Sequence, residues 1–289
     1  MPDVVLGGQA VVEGVMMRDK ENLAVAVRKP NGRITVKNEK INSLTKRYKI
    51  LKLPLLRGVV TLYETLVMGF KGLIFSAEES ADDSEKISKK ELILTFSFAT
   101  IVAIAFFVLL PLFLASAATE NFFLFNLIDG LLRIAVFLIY LLIISRLKDV
   151  QRMFAYHGAE HMTVHAHEHG KKLTVENVRK FGTLHPRCGT SFLLIVLVVS
   201  IIVFSLVTHP NFFVKFFSRL LLIPVIAGVS YELLKISAKF SDSIMGKIIV
   251  YPGITLQRIT TRKPDKAQIE VAIAALKAVL KSSLPSSRR

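Results

Sequence analysis

Four long apolar runs, roughly Leu92–Ala115, Phe122–Ser145, Thr190–Thr208 and Phe212–Ile236, constrain this chain more than any other feature. Each reaches the ~20 residues that a helix needs to cross ~30 Å of hydrocarbon. Lipid offers no partner to a backbone N–H or C=O, so such runs must satisfy themselves as helices. The expectation is a mainly α, polytopic membrane protein with about four transmembrane helices. Pro111 and Pro224 lie inside two of the runs, where neighbouring helices can re-satisfy the freed carbonyls. A hydrophobic content of 52% and a mean hydropathy of +0.50 place the chain in the membrane class rather than among soluble domains.

The formal net charge is +16, which in a soluble protein would suggest nucleic acid. Its distribution gives a simpler reading. Lys and Arg number sixteen in residues 1–90, eight in 146–189 and eleven in 235–289, and none falls in the connectors Ser116–Asn121 and His209–Asn211. The positive-inside rule then predicts that both termini and the 146–189 segment are cytoplasmic. The partner implied is the lipid bilayer, with no nucleic acid. Three basic residues remain inside the spans. Asp129 and Arg133 are spaced for a local ion pair, and Lys215 and Arg219 are placed to snorkel. The first twenty residues carry Asp3, Glu13 and Arg18 and no long apolar core, so no cleavable signal peptide is expected.

The rest of the chain divides by composition. Residues 1–45 predict a small β-hairpin unit, with β-prone Leu23–Val27 and Arg33–Lys37 flanking Asn31-Gly32, since Asn-Gly suits a turn that needs φ > 0. Gly7, Gly8 and Gly14 imply tight geometry or close approach upstream. Residues 46–90 predict an interfacial or re-entrant amphipathic helix near Leu55–Phe75, then a linker. The membrane region follows over 91–240, and 241–289 forms a cytoplasmic C-terminal segment. There Ala267–Leu280 follows the helical period behind Asp265 as N-cap.

The chemistry concentrates in one place, because six of the seven histidines lie between 157 and 185. His157 and His161, four apart, share a helix face and can grip one metal ion. Glu160 lies beside them as a general base, and His-x-x-Glu-His is the inverted zincin pattern. His165 continues the stripe. His185, Cys188, Glu176 and Glu232 are candidates for further ligands. Cys188 is also open to a role as a nucleophile activated by His185, or as a buried small residue. Glu232 is open to pairing with Lys235.

These stretches carry a resemblance. Gly7–Arg18 (GGQAVVEGVMMR), Tyr156–His161 (YHGAEH), His185–Ser191 (HPRCGTS), Tyr231–Leu234 and the segment from Pro252-Gly253 to Gln257–Arg262 are similar to the YqhQ family. Its members are bacterial multi-pass membrane proteins described as predicted metal-dependent enzymes. Met162 stands where that pattern leads one to expect lysine, which leaves the ligand positions untouched. The resemblance implies a bacterial inner-membrane location and carries no substrate. The combined expectation is a zinc or other divalent-metal hydrolase acting on a lipid or membrane-protein substrate at the cytoplasmic face, with Glu13 and Arg18 orienting substrate. Two other classes stay open: a membrane di-iron oxidase, and a non-enzymatic transporter, metal-binding regulator or scaffold.

Overall fold

The computed structural model describes residues 6–81, 88–186, 188–239 and 244–283. Four antiparallel strands open the chain: β1 (Gly7–Val11), β2 (Gly14–Arg18), β3 (Asn22–Arg28) and β4 (Ile34–Lys40), paired in sequence order. The predicted β3–β4 hairpin is present, with Gly32 at φ 82° in its turn. Glycine-rich Gly7–Arg18 is itself the β1–β2 hairpin, a pairing that the sequence reading did not assign.

Strands β2 and β3 are buried on both faces. Val15, Met17, Ala24 and Ala26 point one way into a core with Tyr156, Ala159, Ile269 and Leu276. Met16, Leu23, Val25 and Val27 point the other way, with Met68, Leu73 and Phe75 packed against them. The alternation is the period of two expected of a strand, and it places helices on both sides. On one side lies α1 (Leu56–Ser80). On the other lie the histidine-bearing helix and the C-terminal helix, which contact the sheet and each other.

The helices between run in chain order. α2 (Lys89–Ile104) passes through one π turn, Ala105–Leu109, into α3 (Leu110–Ala118). α4 (Phe122–Ile144) follows, then α5 (Lys148–Glu168), which carries the histidines. α6 is Thr190–Ser205, α7 Phe212–Leu221, α8 Ile223–Lys239 and α9 Ile244–Thr260. α10 (Lys266–Ser282) closes the chain, its N-terminus held by a capping box between Asp265 and Gln268.

By length and composition three stretches among the described residues could cross a membrane: α1, Ile93–Ala118 and α4. A fourth arises if α7 and α8, bent by 48°, form one span. Membrane association thus stands, and the set of candidate spans differs from the expected one in two places. The third apolar run folds as α6, 16 residues long, too short for the same test. The Leu55–Phe75 stretch forms α1, a continuous helix of 25 residues that does pass it. Arg57, Glu64 and Lys71 interrupt the hydropathy of α1 without breaking its backbone. The linker expected between Phe75 and residue 90 overlaps the end of α1 and the start of α2, and residues 82–87 lie outside the described residues.

Small residues bring the helices close. A Cβ on Gly58 would sit 2.8 Å from Tyr231 Cβ, and one on Gly228 would sit 2.8 Å from the Leu55 carbonyl oxygen, so α1 and α8 touch through backbone. Arg57 and Glu232 clamp the same crossing with a bidentate ion pair, Nε to Oε1 at 2.6 Å.

Charge inside the apolar helices α4 and α7 is paired. Asp129 accepts from Arg133 Nε at 3.0 Å, as the spacing predicted, and also from Arg219 Nη2 at 2.8 Å. The snorkelling expected of Arg219 is thus incorrect: it is only 3% exposed and turns inward. Lys215 lies over the Phe125 ring, 3.8 Å from its centroid, rather than reaching away from the protein.

Two stability predictions follow from this packing. Gly158 sits where a Cβ would meet the Arg262 carbonyl oxygen at 2.1 Å, while a Cβ on Gly182 meets nothing within 4 Å. Gly158→Ala is expected to destabilise the protein by about 1–3 kcal/mol, and Gly182→Ala to leave thermal unfolding in detergent nearly unchanged. Asp129→Asn removes the counter-charge of two buried guanidinium groups. Its expected cost is about 3–5 kcal/mol, measured by the same unfolding assay.

Candidate metal centre

Helix α5 is polar in sequence yet buried in the fold, because the sheet and α10 cover it. The face bearing His157, His161 and His165 looks toward the segment 183–190 and the end of α9. Gly158 is where the Arg262 backbone crosses this helix.

Backbone carbonyls set the ring orientations. His157 Nδ1 lies 2.9 Å from the Thr260 carbonyl oxygen, and His161 Nδ1 lies 2.5 Å from that of Thr183. An imidazole that donates through Nδ1 presents a lone pair at Nε2. His157 Nε2 is 3.3 Å from Cys188 Sγ, and the two rings are 4.4 Å apart between centroids. The ligating atoms of His157, His161 and Cys188 all lie within 4.8 Å of one another. Two carbonyl-anchored imidazoles and one sulfur form a tripod of the kind that binds a transition metal with a position left open. Thr190 adds a hydroxyl 3.4 Å from the sulfur.

Glu160 is 5% exposed, with Oε2 3.4 Å from His161 Nε2. Burial pushes its carboxyl up to about 7. Its neighbour is Gly8 of β1, where a Cβ would fall 2.4 Å from Glu160 Oε1. The close approach implied by the glycines of the first motif is thus an approach to this carboxylate.

A second group lies one turn further along α5. His165, Glu168 and His185 also bring their ligating atoms within 4.8 Å of one another. His165 Nε2 is 2.9 Å from the Leu184 carbonyl oxygen, and His185 Nε2 is 3.3 Å from Glu168 Oε2. Burial, with the neighbouring His165, pushes the His185 imidazole down to about 4. The His161 and His185 ring centroids are 5.6 Å apart, so the groups adjoin. Gln257 holds the His185 backbone from both sides, accepting from its N–H at 2.8 Å and donating to its carbonyl at 2.9 Å.

Of the residues singled out in the sequence, the structure brings His157, His161, Cys188 and Glu160 together and places His185 beside them in the second group. Glu232 joins neither group, its carboxylate being held by Arg57. Glu176 is exposed on the single turn Val175–Val178 and also joins neither. Glu168 was missed as a group member, although its place three residues after His165 was a readable signal. The anchoring carbonyls of Thr183, Leu184 and Thr260 had no readable signal, since any residue supplies a carbonyl.

A cavity of about 640 Å³ opens over the site. Its walls include Gly7, Gly8, Gln9 and Arg18 from the first hairpin, along with His157, Glu160, His161, His185 and Cys188. Glu13 lies off this cavity, where it accepts from Arg152 Nη2 at 2.6 Å and from the Tyr156 hydroxyl at 3.1 Å. Burial, together with Glu13, raises the Tyr156 phenol above its usual range.

Fold and site together define a membrane-associated protein with a buried histidine–cysteine cluster beneath a glycine-rich hairpin. The chain belongs to the family described as "Protein of unknown function (DUF1385)", whose match covers residues 53–282. It is 35% identical to "Uncharacterized protein YqhQ" of Bacillus subtilis (strain 168), over 95% of this chain and 92% of that protein. No solved structure matches it.

Gly8→Ala is expected to push the Glu160 carboxylate aside or lift β1 from α5. Cys188 is the sole cysteine, buried at 9% exposure, so maleimide labelling reads the site without background. Labelling should be faster in Gly8→Ala than in the wild type, with a loss of about 1–3 kcal/mol in stability.

Proposed function

We propose that this protein is an integral-membrane, metal-dependent hydrolase whose site lies at the cytoplasmic face of a bacterial inner membrane. One observation carries the reading: His157 and His161 are each tied through Nδ1 to a backbone carbonyl while the Nε2 of His157 faces Cys188 Sγ. A thiolate and two imidazoles suit zinc first among divalent metals. Bound there, such an ion supplies Lewis-acid activation of water and of the substrate's reacting oxygen.

The chain's own residues do the rest. His157, His161 and Cys188 hold the ion. Glu160, dry and adjacent to the tripod, takes the proton from the attacking water and returns it to the leaving group. Gly8 admits the carboxylate to that position. The hairpin β1–β2 roofs the cavity and limits the entry of bulk water.

The distribution of Lys and Arg supports the cytoplasmic side for the termini and for α5. The packing of α1 supports an interfacial course for that helix despite its length. Met68, Leu73 and Phe75 lie on the sheet, and Glu79 pairs with Lys29 at 2.7 Å, so its second half leaves the bilayer for the polar unit.

A second reading, a di-iron oxidase, draws support from the adjoining group of His165, Glu168 and His185. Elemental analysis of the purified protein separates the two. The expected result is about one zinc per chain, lost in His157→Ala/His161→Ala and in Cys188→Ser and kept in Glu232→Gln. Two irons per chain with visible absorption would favour the oxidase, and a wild type that holds no metal after reconstitution would sink both.

A further inference from the structure

Arg18 ends β2, opposite Gly7 in the β1–β2 register, and its guanidinium lies over that glycine, with Nε 3.8 Å from where a Gly7 Cβ would stand. The side chain lines the same cavity as the histidine–cysteine cluster. Its surroundings differ from those of every comparable arginine among the described residues. Arg28 pairs with Glu270, Arg57 with Glu232, and both Arg133 and Arg219 with Asp129. The side chain of Arg18, half-buried like those of Arg28 and Arg57, has neither an ion pair nor a hydrogen bond among the described residues. Glu64, the carboxylate whose charge acts on it, is already engaged by the Ser43 hydroxyl and the Leu44 N–H. Burial pulls the Arg18 guanidinium down from its usual range, so this environment disfavours the bare cation. A planar fork of donors facing a cavity, unspent by the protein, is the arrangement that recognises an oxyanion.

The remaining walls say what the oxyanion is attached to. Met68 comes from α1 and Phe192 and Leu193 from α6, two apolar helices, while Met16 forms part of the floor. A cavity of about 640 Å³ is far larger than a phosphate ion and leaves room for apolar chain beside the headgroup. We propose that the cavity takes a phosphate-bearing membrane lipid, with its anionic headgroup held between Arg18 and the metal tripod and its acyl portion leaving along Phe192 and Leu193 of α6. This names the substrate class of the hydrolase proposed above and rests on that reading.

The test uses the full-length, zinc-reconstituted protein in dodecyl maltoside micelles. Binding of fluorescent dioleoyl phosphatidic acid is compared with that of dioleoylglycerol, oleate and inorganic phosphate. The wild type should prefer phosphatidic acid over the other three. Arg18→Gln should weaken that binding by about tenfold or more, the size expected for one charge-assisted contact. Arg18→Lys, which keeps the charge and loses the fork, should fall between them. Exposed Arg33→Gln serves as a charge-matched control and should bind as the wild type does. Zinc content is measured on every sample. Equal binding by Arg18→Gln with zinc intact overturns the lipid assignment, as does equal affinity for dioleoylglycerol or oleate, or full competition by inorganic phosphate. A wild type without zinc overturns the metal reading instead, and the dependence on Arg18 then decides the headgroup site by itself.

Discussion

Strands β2 and β3 have no wet face, and the architecture follows from that constraint. A strand buried on both sides needs apolar partners on both sides, and this chain draws them from distant positions. The second half of α1 covers one face. The other is covered by α5, which is too polar to be buried for its own sake, and by α10 from the end of the chain. Covering the sheet is what brings the histidine helix under the glycine hairpin. The site is therefore a by-product of core formation, not a loop feature resting on a scaffold.

Close backbone approach does the fine positioning. Gly8 over Glu160, Gly158 under Arg262, and Gly58 against Gly228 each remove one side chain so that two elements can meet. A buried carboxylate such as Glu160 keeps its proton affinity high because burial strips water from its charged form. The imidazoles take their direction from carbonyls at the ends of segments whose own hydrogen-bonding is incomplete. Within the spans the same economy of charge holds, with Asp129 shared between Arg133 and Arg219. Arg219 still leaves Nε and Nη1 without a hydrogen-bond partner among the described residues, which makes this pairing incomplete as well as buried.

Much of this was legible in the residues. The apolar runs announced helices, although Thr190–Ser205 came out shorter than its hydropathy suggested and Leu56–Ser80 longer. Asn31-Gly32 announced the β3–β4 hairpin, and Asp265 the start of α10. Histidine spacing on α5 announced a shared face, and the glycines of the first motif announced close approach. The partners of those features were not legible. Glu232 looked like a spare carboxylate because Arg57 lies far away in the chain, and Arg219 looked exposed because Asp129 does too.

Periodicity and composition by themselves determined that the chain carries helices apolar enough for a membrane, where its helices and the β3–β4 hairpin lie, and which helix carries candidate ligands. These are local properties, set by hydration and backbone geometry over a few turns. Tertiary structure alone decided that His185 stands with His165 and Glu168 while Cys188 stands with His157 and His161. It alone decided that Gly8 makes room for Glu160 and that Arg18 faces the cavity without an ion pair among the described residues. Those are relations between segments far apart in the chain, fixed by which surfaces had to be buried together, and no local pattern encodes them.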